Sequence, residues 1–149
     1  MLKHVYPGAQ IPVDQLSLDA ALSPSEHYRF ASQLAPLRGE GILVAGLGNV
    51  VHNLRALSRT HDPLPLDWAT RFSAAVRERI VASDHAWLAN PEAWGGDGAL
   101  SVPTPEHYLP LLYILALQRP DDDLVFLTDG IELGSISMLS VVVGVVAPP

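Results

Sequence analysis

At 149 residues the chain has room for one domain. Nine basic against sixteen acidic residues leave a net charge of −7, and no lysine- or arginine-rich run is interleaved with aromatics, which argues against nucleic acid as a partner. Hydrophobic residues make up 48% of the chain, yet no apolar run approaches the roughly 18 residues of a membrane helix, so no membrane contact is expected. The absence of cysteine excludes a disulfide framework, a thiolate metal site and a thiol nucleophile. The first residues lack the charged and apolar regions of a signal peptide, so the expected location is cytoplasmic.

In chain order, Ile11-Pro-Val-Asp-Gln-Leu-Ser-Leu18 reads as a strand, with Asp14 placing it at a sheet edge or partly in solvent. Ser23-Pro24-Ser25-Glu26 combines an N-cap, a proline at the first helical position and a glutamate three residues after the cap. This predicts a helix to about Leu37, with Tyr28, Leu34 and Leu37 toward the core and Gly39 and Gly41 ending it. The stretch Gly41 to Asn53 is the one around which the rest is organised. Ile42 to Ala45 suit a strand covered on both faces, Gly46 and Gly48 permit a sharp turn or a close approach, and His52 follows between Asn49 and Asn53.

Leu54 to Leu57 reads as a short helix and Arg59 to Pro65 as a loop. Asp67 is expected to cap the longest helix, in which Trp68, Phe72, Val76 and Ile80 form an apolar face, and Asn90-Pro91 ends or kinks it. Trp94-Gly-Gly-Asp-Gly98 reads as a flexible loop able to close over a site. Thr104-Pro-Glu-His107 starts a further helix, and the spacing of His107 to Leu111, Ile114 and Leu115 turns the imidazole inward. A helix N-terminus disfavours imidazolium and so favours a neutral ring. Pro110 cannot donate to the Glu106 carbonyl. Leu124 to Leu127 and Ile136 to Val143 read as strands joined by the turn-rich stretch Thr128 to Gly134. The alternation predicts an α/β fold with a mixed central sheet flanked by helices, its last strands hairpin-like.

Taken alone, His52 fits a hydrogen-bonded structural histidine as well as a functional one, and His107 fits a capping role equally. Two inward histidines still do not complete a metal site, which takes at least three protein ligands. His4, His27, His61 and His85 lie in polar or loop surroundings and read as solvated. Glu106 and Glu132 are the carboxylates of interest, with a first-turn charge and a turn residue as the plainer reading. Gly46-Leu-Gly48 is not a dinucleotide fingerprint, because Val51 stands at the third glycine position and Asp67 opens a helix. No Gly-x-Ser-x-Gly elbow is present.

Ile11-Pro-Val-Asp-Gln-Leu-Ser-Leu, Gly48-Asn-Val-Val-His-Asn-Leu-Arg55, Pro103-Thr-Pro-Glu-His-Tyr-Leu-Pro-Leu-Leu112 and Gly134-Ser-Ile-Ser-Met138 occur in that order. With these four motifs the chain resembles the class III extradiol ring-cleaving dioxygenases, of the DOPA 4,5-dioxygenase type, in their C-terminal half. The resemblance implies an α/β enzyme with a non-haem metal, Fe(II) as a rule and Zn2+ possible in the same site. Its partners would be a catechol bound through both hydroxyls, and O2. Carried over by motif, His107 matches a metal ligand, and His52 matches either a further ligand or the acid/base residue. Asn49 and Asn53 beside it are candidate substrate contacts. The family's other two metal histidines belong to an N-terminal half that the sequence does not contain. Residues 1–149 are therefore expected to be the C-terminal portion of a single dioxygenase domain, binding metal poorly and turning over little alone, with a homo-oligomer or a complementing N-terminal half as protein partner. A non-catalytic α/β partner or pseudo-enzyme, and a zinc hydrolase on His52, His107 and Glu132, are the alternatives.

Overall fold

A computed structural model of the chain describes residues 2–144. A first helical turn, α1 (Leu2–Val5), precedes an extended stretch, and α2 (Pro24–Ser32) then starts at the expected capping box. The Ser23 hydroxyl accepts from the Glu26 amide at 3.3 Å, and the Ser23 amide donates to the Glu26 carboxylate at 2.8 Å. The helix stops at Ser32 rather than Leu37 and restarts as α3 (Ala35–Gly39). Pro36 is the cause: it has no N–H for the Ser32 carbonyl, and its ring crowds that oxygen.

The long helix α4 (Asp67–Val81) buries Ala69, Phe72, Val76 and Ile80, with Trp68 half-buried, so its predicted apolar face is present. Asp67 is its first helical residue rather than its cap, the cap position falling on Leu66. After α5 (His85–Leu88), a 3-10 turn at Pro91–Trp94 runs directly into α6 (Gly95–Ser101). The expectation of a flexible loop at Trp94 to Gly98 is thereby corrected. Trp94 is buried, its ring 4.6 Å from Tyr108 and 5.6 Å from Phe72, and its Nε1 donates to the Trp87 carbonyl at 3.0 Å. Gly98 has to be glycine here, because a Cβ would lie 2.2 Å from that of Trp94.

Thr104 precedes a 3-10 turn, Pro105–His107, and α7 (Leu109–Leu115) follows with Pro110 in its first turn, where a missing N–H is tolerated. α7 buries Leu109, Leu112, Tyr113 and Leu115 and packs against α2. Side chains of this kind contribute about 1.5–3 kcal/mol each on full burial. β1 (Leu124–Thr128) and β4 (Ser140–Val143) pair antiparallel, Leu124 opposite Val143 and Phe126 opposite Val141. That antiparallel pairing fits the hairpin-like reading of the last strands, but Ile136 to Val143, expected as one strand, is split, its first part forming β3 (Ile136–Ser137), which makes a short ladder with β2 (Ile131–Glu132) inside the stretch expected to be a turn.

The mixed central sheet is not assembled among the described residues, whose strands form two antiparallel pairs. Ile11 to Leu18 and Ile42 to Ala45 run without secondary structure and in no ladder. Leu43, expected to be covered, is 74% exposed. A strand is held by the backbone of a neighbour, and no described strand lies alongside either segment. Helices and strands are nevertheless both present, in keeping with an α/β class. No helix among the described residues is long and apolar enough to cross a membrane.

Candidate functional site

The two predicted histidines meet because two glycines allow backbone to rest on backbone. A Cβ on Gly48 would lie 2.0 Å from the His107 carbonyl oxygen, and one on Gly46 would lie 2.5 Å from that of Pro110. The segment therefore lies directly across the start of α7, and the Asn49 amide donates to the His107 carbonyl at 2.9 Å. Close approach, one of the two readings of these glycines, is what the structure uses.

Beyond the glycines, Val50 and Val51 are buried and the chain is fixed on two sides. The His52 amide donates to the Ser101 carbonyl at the end of α6 (2.8 Å), and the Ser137 amide donates to the Val51 carbonyl (3.0 Å). His52 also forms an isolated antiparallel bridge with Ile136 in β3. The His52 backbone thus has little freedom, and its ring lies on that of His107 with centroids 3.6 Å apart and planes 17° from parallel.

Burial holds the His52 ring below the ordinary imidazole pKa, and the neighbouring His107 adds to that effect, while the Glu106 carboxylate works in the opposite direction. Glu106 itself is held below the usual carboxylate range, first by the Thr104 hydroxyl, which donates to it at 2.6 Å. At neutral pH His52 is accordingly a neutral imidazole with one N–H and one lone pair.

A metal ion lies close to the plane of each imidazole that binds it, about 2.0–2.1 Å from the nitrogen. Two stacked rings with centroids 3.6 Å apart and planes only 17° from parallel do not bring both planes to one point within that reach. In this arrangement the pair supplies one ligand and one free base, not a chelate. No group of three or more His, Cys, Asp or Glu residues able to hold a metal occurs among the described residues. Glu132, the third ligand a zinc hydrolase would need, does not join the histidines, and the residues present do not fit a complete metal centre.

Asn49 donates from Nδ2 to the Ser137 carbonyl at 2.8 Å, and its Oδ1 accepts no hydrogen bond from the described residues. Asn53 is engaged at both ends. Its Oδ1 accepts from the Arg55 and Ala56 amides, capping the 3-10 turn Leu54–Ala56, and its Nδ2 donates to the Leu100 carbonyl at 2.8 Å.

Sequence reasoning missed the serines beneath the site. Ser73 and Ser137 hydroxyls lie 3.0 Å apart, Ser135 Oγ donates to the Asn53 carbonyl at 2.9 Å, and all three side chains are buried. The signal was their two-residue spacing in Gly134-Ser-Ile-Ser137, which puts both serines on one side of an extended chain. Ser101 is buried, and its hydroxyl has no partner among the described residues.

Two of the other histidines are not solvated as expected. His27 is fully buried, with Nδ1 2.8 Å from the Tyr113 hydroxyl and Nε2 donating to the Asp19 carbonyl at 3.0 Å. His85 lies between the Tyr28 hydroxyl (2.7 Å) and Gln118 Oε1 (3.0 Å). Both find partners remote in sequence, which their local surroundings do not reveal. His4 and His61 are exposed.

No family model matches the chain. It is 41% identical over 148 residues to a protein of Escherichia coli K12 named 4,5-DOPA dioxygenase extradiol, a match covering 97% of this chain and 54% of that one. Proteins of the same name from Portulaca grandiflora and Beta vulgaris are 34% and 32% identical, over 74% and 72% of this chain and 41% and 40% of theirs. A crystal structure of an uncharacterized protein from E. coli K12 superposes with a TM-score of 0.86 at 41% identity, over 94% of this chain and 58% of that one. The chain spans about half the length of the E. coli relative and less of the plant ones, as expected for a match to only part of the family's length.

Proposed function

The chain is a homologue of proteins named 4,5-DOPA dioxygenase extradiol, and on that premise we propose that it forms one wall of a site that opens the ring of a catechol with O2. In that reaction both oxygen atoms enter the product and a ring C–C bond beside a hydroxyl breaks. Residues 1–149 would be the C-terminal portion of a single dioxygenase domain. Non-haem Fe(II), or Zn2+ in the same position, would draw His107 as one ligand from this chain and the others from outside the described residues. The observation that carries the reading is the stacking of the His52 ring on that of His107, in surroundings whose burial holds His52 below the ordinary imidazole pKa.

With one ring nitrogen carrying a lone pair, His52 takes the proton from a catechol hydroxyl and returns it as the ring opens. The fixed backbone on either side of His52 keeps that nitrogen in place. Asn49 offers its unpartnered Oδ1 to a substrate hydroxyl, whereas Asn53 has only its second amide hydrogen left for substrate and mainly holds the His52 segment. The chain works with a complementing half or a second copy, and a purely non-catalytic role is the second reading, favoured by the missing third ligand among the described residues.

Oxygen labelling tests this. The assembled, iron-loaded protein supplied with a catechol under labelled O2 should yield a ring-opened product carrying two labelled atoms. Label entering from water with O2 absent would make it a hydrolase, and no reaction at all would leave the non-catalytic role.

A further inference from the structure

Among the described residues no hydrogen bond ties the His52 ring to another residue. Where that ring lies on His107 is therefore decided by the backbone that carries it. Ahead of the ring the backbone is tied by short bonds, from the Asn49 amide to the His107 carbonyl (2.9 Å) and from the Ser137 amide to the Val51 carbonyl (3.0 Å), and the His52 amide itself is held by the Ser101 carbonyl (2.8 Å). After the ring, the bond from the Asn53 amide to the Ser135 carbonyl stretches to 3.3 Å, longer than the usual range.

At this weak point the chain also turns away from β3: Asn53, at φ −113° and ψ 89°, leads into the 3-10 turn Leu54–Ala56. The Ser135 hydroxyl grips the turning point. It donates to the Asn53 carbonyl at 2.9 Å, and the second lone pair of that oxygen takes the Ala56 amide at 3.1 Å. Asn53 Nδ2 runs the other way, to Leu100 in α6, so among the described residues Ser135 has the one side chain that bonds residues 51 to 53 to the β3 side. The donor is itself fixed. Ser135 is fully buried, its amide is bound to the Glu132 carbonyl (3.2 Å), and the preceding Gly134, at φ 79°, is held by the Leu66 amide (2.9 Å).

We propose that Ser135 is a positioning residue for His52: its hydroxyl, by holding the Asn53 carbonyl, sets how the His52 ring lies on His107. A buried serine that only filled space would stabilise the fold without deciding the place of the ring. The part of Ser135 in catalysis rests on the function proposed above, since a base displaced by about 1 Å can cost a hundredfold in rate. Ser73, the buried serine of α4, is the natural comparison. Its hydroxyl lies 3.0 Å from that of Ser137 and bonds none of residues 51 to 53.

Proton NMR of the full chain at about pH 8, above the ordinary imidazole pKa, reads the ring directly. Rings stacked at 3.6 Å shield one another's protons and give a cross-peak between His52 and His107. Ser135→Ala should stay folded with a lowered urea midpoint, lose that cross-peak and return the ring protons toward their positions in the unfolded chain. Ser73→Ala, which also removes a buried hydroxyl, should lower the midpoint and keep both signals. Rings still stacked in Ser135→Ala, or displaced equally in Ser73→Ala, overturn the proposal. Should Ser135→Ala fail to fold, Ser135→Cys decides, because it keeps the side-chain volume and offers only a weak donor: displaced rings uphold the proposal and undisturbed rings overturn it. Kinetics separate this from the functional reading. With a catechol, Ser135→Ala should lower kcat of the assembled, iron-loaded protein by about ten- to a hundredfold with KM unchanged, and Ser73→Ala should change neither. Displaced rings in a protein that consumes no catechol uphold the positioning and refute the dioxygenase, and turnover with undisturbed rings and unchanged kcat in Ser135→Ala does the reverse.

Discussion

His52 and His107 stack with ring centroids 3.6 Å apart because Gly48 allows the segment carrying one to rest on the carbonyl of the other. Two imidazolium rings at that separation would repel, so the stack is built for at least one neutral ring, and burial selects His52.

The titration of His52 follows from this. In the metal-free chain its NMR-detected pKa should lie below the ordinary value of about 6.5. His107→Gln should raise it only part of the way, because burial is the larger cause. The unfolded chain binds this proton more tightly, so the contribution of His52 to stability is complete above about pH 6.5 and is lost as the pH falls below it. Urea midpoints between pH 7.5 and 5.5 should show that loss, and His52→Gln should flatten it.

Gly48→Ala should destabilise the chain by about 1–3 kcal/mol or more, because the new methyl meets the His107 carbonyl, which is backbone and cannot swing aside. Gly96→Ala is the matching control. Its Cβ meets nothing within 4 Å, and in a helix the exchange should be neutral or stabilising by up to about 1 kcal/mol. Urea denaturation of both variants reads the contrast.

Acid stability should depend on a different pair. Arg38 grips Asp122 through two hydrogen bonds of 2.6 and 2.8 Å, with the aspartate side chain 5% exposed and the arginine 18%. The guanidinium holds the Asp122 carboxyl below the usual range, aided by the Arg119 amide. The stabilisation is present above the unfolded aspartate value of about 3.9 and is lost as the pH falls through the lower folded one. Asp122→Asn should cost toward the lower end of roughly 3–5 kcal/mol at pH 7, since Arg38 is partly solvated, and should blunt the acid limb of the stability profile.

His27→Ala should cost about 2–4 kcal/mol in thermal or urea unfolding. It opens a cavity in a fully buried position and leaves the Tyr113 hydroxyl and Asp19 carbonyl without their partner.

What was legible in the sequence was what short-range chemistry decides. The Ser23 to Glu26 capping box and the four-residue spacing of α4 each describe their structural role within a few residues, whereas Gly46 and Gly48 allowed either a turn or a close approach, and Pro110 and His107, distant in sequence, decide it. The His52 and His107 pairing needed two elements read together, and the stacked geometry, which limits the pair to one metal ligand, lies beyond any spacing rule. Trp94 to Gly98 misled because three glycines look like a loop, whereas here Gly98 is small so that Trp94 can bury against Phe72. His27 misled for the opposite reason: its neighbours are polar, but its partner Tyr113 comes from α7. Ile42 to Ala45 have the composition of a strand covered on both faces, yet Ile42, Leu43 and Ala45 are exposed and Val44 is only half-buried, because no described strand lies alongside them.

The central claim, that this chain is one wall of an extradiol site, is tested most directly by oxygen uptake with a catechol on the iron-supplied chain, alone and assembled with the unmatched portion of the E. coli relative. The chain alone should show no uptake and bind less than one iron. The assembly should take up oxygen equal to the catechol consumed, and His52→Gln should abolish that uptake. One iron per chain with steady uptake by the isolated chain would contradict the claim.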